Sequence, residues 1–249
     1  MSLPRFHLTP EAWRPEILVL EGDEALHCAR VLRKAPGDKI EIFDGVGRVA
    51  SATLTRVSRN SVTAQVDEVR QHAARVSEVH LLAAMIKAEA FEWLLEKAAE
   101  LGAASVRPVV TAHSVVHLDG AQLNKKLCKW RRHMVESAKQ CHTPWVPALE
   151  SPASLAGALE RLPAASARLM PALSEHSRRL HELDFSAEVP VFVLVGPEGD
   201  FTEEEEELAR RRGFQPVTLG PLILRAETAS IAALAIIGEE LVRQGRAQP

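Results

Sequence analysis

Cysteine is scarce in this 249-residue chain. Its three thiols, Cys28, Cys128 and Cys141, are an odd number at wide spacing, which argues against a disulfide framework and against a zinc knuckle. Long apolar runs are missing too: none reaches the roughly eighteen residues that a membrane span needs. Residues 1–10 have neither the basic start nor the apolar centre of a signal peptide, so the expectation is a cytoplasmic protein with no membrane partner. No G-x-S-x-G elbow and no Walker loop occurs, which removes the commonest hydrolase and phosphotransferase readings. Internal repeats and low-complexity segments are absent. The formal charge is only -3, which argues against a general nucleic-acid coat protein.

What is present is apolar residues, 46% of the chain, ample for a core without covalent staples. Charge is concentrated locally. Residues 125–142 hold six Lys or Arg against the single acid Glu136, with His133 and His142 in addition. Such a patch can hold an anionic partner although the whole chain is not basic.

Periodicity divides the chain in two. Residues 39–43, 48–57 and 61–69 alternate apolar with polar side chains, and Asp44-Gly45 and Arg59-Asn60 mark the turns between them. Asp23 is placed to cap a helix running to about Leu32. Its apolar face is Ala25, Cys28, Ala29 and Leu32, while His27, Arg30 and Lys34 fall on another face with Arg33 beside them. That face is either solvated or turned to phosphate. Around residues 71–77 the alternation stops, and the boundary is set there: a β-rich domain over 1–72 and a second domain over 73–249. Strand 80–87, helix 89–101 with Gly102 as its stop, and strand 105–110 predict right-handed βαβ crossovers and a parallel sheet. A basic helix is expected over 124–141, and a connecting segment over 144–162.

Several motifs mislead. Gly45-Val46-Gly47-Arg48-Val49-Ala50 matches a dinucleotide fingerprint, but the residues after it alternate like a strand, so a hairpin turn is the better reading. His113 and His117 have the spacing of a helical metal pair, yet Ser114 stands where the metalloprotease motif needs Glu. The acids 203–207 are a dipole-favoured helix start. No metal is expected.

The strongest signal lies between Val191 and Ala229. Two loops, Gly196-Pro197-Glu198-Gly199-Asp200 and Leu219-Gly220-Pro221, each follow an apolar strand-like run, 191–195 and 214–219. Both should lie at the carboxyl edge of a buried parallel sheet, where ligands of open α/β sheets bind. Between them Thr202 and Glu205 form a capping box, Arg210 to Arg212 fill the last turn, and Gly213 supplies a left-handed stop. Glycine lets main-chain donors and carbonyls approach a flat heterocycle closely, with Val195, Leu219, Ile223 and Leu224 covering its faces. The competing phosphate cradle is disfavoured by Glu198, Asp200 and the run of glutamates at that helix start.

These residues resemble the small-subunit (16S) ribosomal RNA uracil-N3 methyltransferases of the SPOUT superfamily. The resemblance rests on Val195 to Gly199, the Phe201-Thr202-Glu203-Glu204-Glu205 helix start, Gly213-Phe214, Leu219-Gly220-Pro221 and Ile223-Leu224-Arg225 with Glu227-Thr228-Ala229. It continues in His27 with Arg30-Val31-Leu32-Arg33, Gly37-Asp38 and Phe43-Asp44-Gly45, and in Lys87, Glu92, Lys97, Glu100-Leu101-Gly102, Ser114-Val115-Val116 and Glu136 with Gln140-Cys141. It implies an α/β fold: a small amino-terminal β-barrel PUA-like domain and a carboxyl-terminal SPOUT-type domain with a parallel sheet and a deep trefoil knot. It also implies a homodimer, for which the stripe Ile231, Leu234, Ala235, Gly238, Leu241 and Val242 is the candidate face. The implied cofactor is S-adenosylmethionine, with Leu194, Val195, Gly196, Glu198, Gly199, Leu219, Gly220, Ile223, Leu224, Arg225 and Thr228 around it. Arg225, Glu198 and Glu227 are the candidates for chemistry. His27, Arg30, Arg33, Lys87, Arg131 and Lys139 are the candidates for RNA, with 16S ribosomal RNA of the small subunit as partner. Two positions depart from the family pattern: Asp200 replaces a usual third glycine, and Leu222 a frequent Arg. The readings from other classes are a catalytically silent RNA-binding or assembly protein of the same fold, and a small-molecule nucleotide enzyme.

Overall fold

A computed structural model describes residues 3–73, 78–114, 120–174, 177–185 and 189–245. The chain forms two compact units, Met1–Ala74 with Ala138–Val146, and Arg75–Ser137 with Pro147–Pro249. The division expected at residue 72/73 is linear, whereas here nine later residues return to the first unit.

In the first unit β1 (Arg5–His7), β2 (Ile17–Glu21), β3 (Lys39–Phe43), β4 (Arg48–Val57) and β5 (Ser61–Gln71) form a mixed sheet in the order β1-β3-β4-β5-β2. Only the β1–β3 pair is parallel. Strict alternation sends Leu18, Leu20, Ile40 and Ile42 inward with Phe6, Leu54 and Val62. The misleading G-x-G is the β3–β4 turn. Asp44 is buried, and its Oδ1 accepts from the Val46 and Arg48 amides at 2.9 Å. Gly45 and Gly47 have φ of +77° and +103°. A Cβ on Gly47 would stand 2.5 Å from the Trp145 ring, so glycine is obligatory there. The returning segment is joined to this turn by Val146 N to Gly45 O, 2.9 Å, and by Ala138 packing with Phe43 and Val49.

The helix after β2 departs from expectation. It starts at Gly22, as α1 (Gly22–Leu26), with Glu21 rather than Asp23 at the cap position, and continues as a π turn over His27–Val31. Arg33 then takes a left-handed φ of 51°. The wider turn breaks the 3.6-residue period on which the cationic face was drawn.

In the second unit the strands are β6 (Val79–Ala84), β7 (Ser105–Val110), β8 (Ala148–Leu149), β9 (Ala153–Ser154), β10 (Ala167–Pro171), β11 (Arg178–Arg179), β12 (Val191–Val195) and β13 (Gln215–Thr218). The helices are α2 (Ala88–Glu100), α3 (Gly120–Gln140), α4 (Leu155–Glu160), α5 (Glu203–Arg211) and α6 (Ala226–Arg243). All pairings are parallel, in the order β11-β13-β10-β12-β6-β7-β8, with β9 also on β7. All five residues of β12 are buried, as a central strand covered on both faces requires. Gly102 and Gly213 end α2 and α5 with φ of +74° and +83°, as their positions predicted.

The stripe expected on α6 is rotated. Leu234 and Leu241 are buried, but Ala235 is exposed and Ile231, Gly238 and Val242 are only half-buried. The buried face includes two polar residues that an apolar stripe passes over. Ser230 Oγ donates to Ala226 O at 2.8 Å, and Glu240 is held by Arg243.

Candidate functional site

Parallel pairing brings the carboxyl ends of β10, β12 and β13 to one edge, and the loops that leave them enclose a cleft of about 480 Å³. That volume lies within the range of small-molecule sites. The β12 loop contributes Gly196, Pro197, Glu198 and Asp200; the β13 loop contributes Leu219, Gly220, Leu222, Ile223 and Leu224. Arg225, Ala226 and Ala229 close it from the start of α6, and Pro171, Ala172 and Leu173 form a third wall after β10.

Eight of the eleven residues expected around a cofactor therefore share one cleft: Val195, Gly196, Glu198, Leu219, Gly220, Ile223, Leu224 and Arg225. The other three stand outside its lining. Leu194 belongs to the sheet core, and Thr228 is exposed on α6. Gly199 backs onto His113, whose Cβ would lie 3.2 Å from an added Cβ. The third wall was not anticipated. Its signal is a short apolar run, Leu169-Met170-Pro171, too brief to distinguish from a loop.

Both loops are fixed by their own polar atoms. Asp200 has a φ of +60°, and its Oδ1 accepts from Phe201 N at 2.9 Å. The departure at this position thus keeps a left-handed backbone, which Asp tolerates through local hydrogen bonding. His113 Nδ1 contacts Asp200 O at 2.9 Å, and Ala112 N donates to Glu205 Oε1 at 2.8 Å. In the second loop Thr218 Oγ1 accepts from Gly220 N at 3.2 Å, where φ is +134°. Only glycine adopts that angle without strain.

The electrostatics disfavour phosphate. Thr202 and Glu205 cap the start of α5 reciprocally, Glu205 N to Thr202 Oγ1 at 3.2 Å and Thr202 N to Glu205 Oε2 at 3.1 Å. The box takes up the Thr202 and Glu205 amides, and the acids that ring that helix end repel an anion. By contrast α6 begins at Ala226 in the cleft wall without a side-chain cap.

Arg225 occupies the cap position of α6 in an extended conformation (φ -64°, ψ 154°) and is exposed. Glu198 is exposed and Glu227 half-buried. Among the described residues none of these three side chains is engaged in a hydrogen bond or ion pair. They are not committed to holding the fold. No group of three His, Cys, Asp or Glu able to hold a metal occurs among the described residues; His117 lies outside them, as do Val115 and Val116.

The residues expected to meet RNA are placed variously. Arg30 and Arg33 are exposed in the first unit, and His27 is half-buried edge-on to Phe6 at 5.9 Å. Lys139 is buried, its Nζ 3.0 Å from Glu24 Oε1 and 5.8 Å from the Phe6 ring. In the second unit Lys87 is exposed at the start of α2, just past the carboxyl end of β6. Arg131 is exposed on α3, with Nη2 3.4 Å from Leu149 O.

At the amino ends of the strands lies a Ser-His-Glu set. His80 Nδ1 is 2.8 Å from Ser105 Oγ, Nε2 is 3.3 Å from Glu78, and the ring stacks on Phe192 at 4.6 Å. Ser105 is buried, so this set joins strands rather than presenting a nucleophile. Burial lowers the proton affinity of His80, with Arg107 adding to the effect, while Glu78 and Glu150 oppose it.

Comparison with known proteins agrees with this geometry. Residues 73–238 match the RNA methyltransferase domain family, and residues 20–67 the RNA methyltransferase PUA domain family. The chain is 31% identical over 234 residues to ribosomal RNA small subunit methyltransferase E of Bacillus subtilis, covering 90% of this chain and 91% of that protein. It is 29% identical over 225 residues to the protein of the same name from Mycobacterium tuberculosis, covering 89% and 86%. Its fold is similar to that of a ribosomal RNA small subunit methyltransferase E from Neisseria gonorrhoeae bound to S-adenosyl methionine, with a TM-score of 0.85 and 29% identity over 94% of this chain and 96% of that one. With a PUA domain, a parallel-sheet methyltransferase domain and a cleft at the sheet's carboxyl edge, the chain belongs to the ribosomal RNA small subunit methyltransferase E family.

Proposed function

We propose that this chain uses S-adenosylmethionine to methylate N3 of one uridine in the 16S ribosomal RNA of the small subunit. The observation that carries the reading is the cleft itself. The main-chain turn closed by Asp200 N to Pro197 O, the bend at Gly220, apolar walls from Val195, Leu219, Leu224 and Ala229, and an acidic flank suit a cationic nucleoside. The residues present therefore fit the cofactor. When bound, it supplies an electrophilic methyl group on a sulfonium.

The chain's own groups do the rest. N3 of uracil carries a proton and is normally paired, so the base has to be unpaired or flipped out before it can enter. The Arg225 guanidinium orients the uracil carbonyls and stabilises the negative charge that grows on them. Glu198 or Glu227 accepts the N3 proton as the N3–carbon bond forms and the sulfur–carbon bond breaks. Holding the acceptor in line is the larger part of the work.

RNA affinity comes from exposed cations, Arg30 and Arg33 on the first unit and Lys87 and Arg131 on the second, with the half-buried His27 ring beside the first pair in sequence. Lys139 contributes through its ion pair with Glu24, by holding the segment that carries it. The chain acts as a cytoplasmic homodimer, and the outer face of α6, with Ala235 and Ile236 exposed, supplies part of the contact.

The test is to incubate the protein and labelled cofactor with small subunits from cells that lack it, then map the product by reverse transcription. One methyl group at one uridine is expected. A chain that binds subunits but gives no label, and no heat on titration with S-adenosylmethionine, is instead the silent RNA-binding protein.

A further inference from the structure

The carboxyl edge of the parallel sheet is electrostatically two-sided. Beyond β12 stand Glu198, Asp200 and the exposed Glu203 and Glu204. On the β13 side of the cleft the sheet finishes in β11, a strand of two residues, Arg178 and Arg179, both exposed. Neither lines the cleft, and neither belongs to the basic helix α3.

Register fixes where these arginines are. Arg178 pairs with Val217 and Arg179 with Thr218, the residue whose hydroxyl holds Gly220 in the second loop. On the other side of β13, Pro171 of β10 also pairs with Val217, and the chain runs on into Ala172 and Leu173 of the cleft wall. The arginines thus stand one strand beyond the cleft. The rim on that side is apolar: Leu173 is 57% exposed, Leu222 72% and Ile223 88%.

Resting on the function proposed above, we infer that the RNA strand crosses the site over the β11–β13 edge, with Arg178 and Arg179 holding backbone phosphates beside the target nucleotide. An anionic strand is repelled by the α5 flank and attracted by this one. Successive strand residues point to opposite faces, so the two arginines are not equivalent. Arg178 Nη2 is tied to Glu182 O at 2.9 Å, which steadies its guanidinium while leaving other donors for a phosphate, and Arg179 lies nearer the second loop. The apolar rim packs against the unstacked bases, and Arg225 reads the one that enters. The competing explanation is that two charges on a short edge strand only prevent strand-to-strand aggregation. That role predicts no change in RNA recognition when they are removed.

The experiment compares R178A/R179A with the wild type and with R210A/R211A, which removes two exposed arginines from the far end of α5. KM for small subunits is measured from 50 to 300 mM KCl, and the affinity for S-adenosylmethionine by calorimetry. R178Q/R179Q serves as a second variant that keeps a polar edge if the alanine pair aggregates. The expected result is a several-fold rise in KM, a log–log salt slope shallower by about 1.4 for two lost single-strand phosphate contacts, and unchanged cofactor affinity, with R210A/R211A matching the wild type. An active wild type whose KM and salt slope do not move in R178A/R179A and R178Q/R179Q, or move equally in R210A/R211A, overturns this inference alone. A wild type that methylates no subunit removes the parent reading and this one with it.

Discussion

Arg225 and Asp200 show how individual residues serve the cleft in different ways. Arg225 caps α6, and among the described residues its guanidinium is unengaged, so its replacement should leave the fold intact and act on the chemical step. Arg225→Ala is expected to lower kcat by about 100- to 1,000-fold, the effect of removing a donor to a developing oxyanion, with S-adenosylmethionine affinity little changed; single-turnover methyl transfer and calorimetry measure the two. Arg225→Lys should recover only part, because an ammonium lacks the planar fork that meets two oxygens. Asp200 acts on the backbone instead. At a φ of +60°, Asp200→Ala loses both tolerance of the left-handed region and the hydrogen bond to Phe201 N, and is expected to cost about 1–2 kcal/mol in urea unfolding. Asp200→Gly should cost less, since glycine regains the angle while losing only the hydrogen bond.

Among the elements, those written in local chemistry were the ones legible in the sequence. The α5 capping box, its arginine-rich last turn and its Gly213 stop are determined within a dozen residues, and the buried run of β12 is unambiguous. β10 and β11 were not legible. Ala167–Pro171 mixes Arg and Pro into a short run and is a strand because β12 and β13 lie on either side of it, and Arg178–Arg179, with no apolar residue, because β13 lies beside it. β1, of three residues, escaped through brevity, and the π turn after α1 because no side-chain pattern marks it. The amino ends of β6, β7 and β12 carry a pH effect. His80 binds a proton less readily in the folded state than at its ordinary value of about 6.5. Between those two values the unfolded chain holds more protons, so stability is complete above about pH 6.5 and declines as the pH falls below it. The urea midpoint should drop between pH 6.5 and 5, and the drop should be smaller in His80→Gln; an equal drop in both would assign it to other groups.

At the scale of the whole molecule, the first unit is assembled from two stretches of chain. Residues 138–146 supply Ala138 to a small core with Phe43 and Val49, the Trp145 ring over Gly47, and an amide for Gly45 O. A fragment of residues 1–74 leaves those surfaces uncovered. It is expected to show poor amide dispersion and to bind hydrophobic dyes, and adding a peptide of residues 138–146 should improve its dispersion. A well-dispersed spectrum from the fragment alone would show that the returning segment is dispensable.

That discontinuity also sets an order of events at the ribosome. Sixty-three residues separate the two stretches, which at 5–20 residues per second takes roughly 3 to 13 s to translate. Throughout that interval the amino-terminal sheet waits with its β3–β4 corner unsealed. The amino-terminal unit is therefore not the first finished part of the nascent polypeptide, although its strands are the first made.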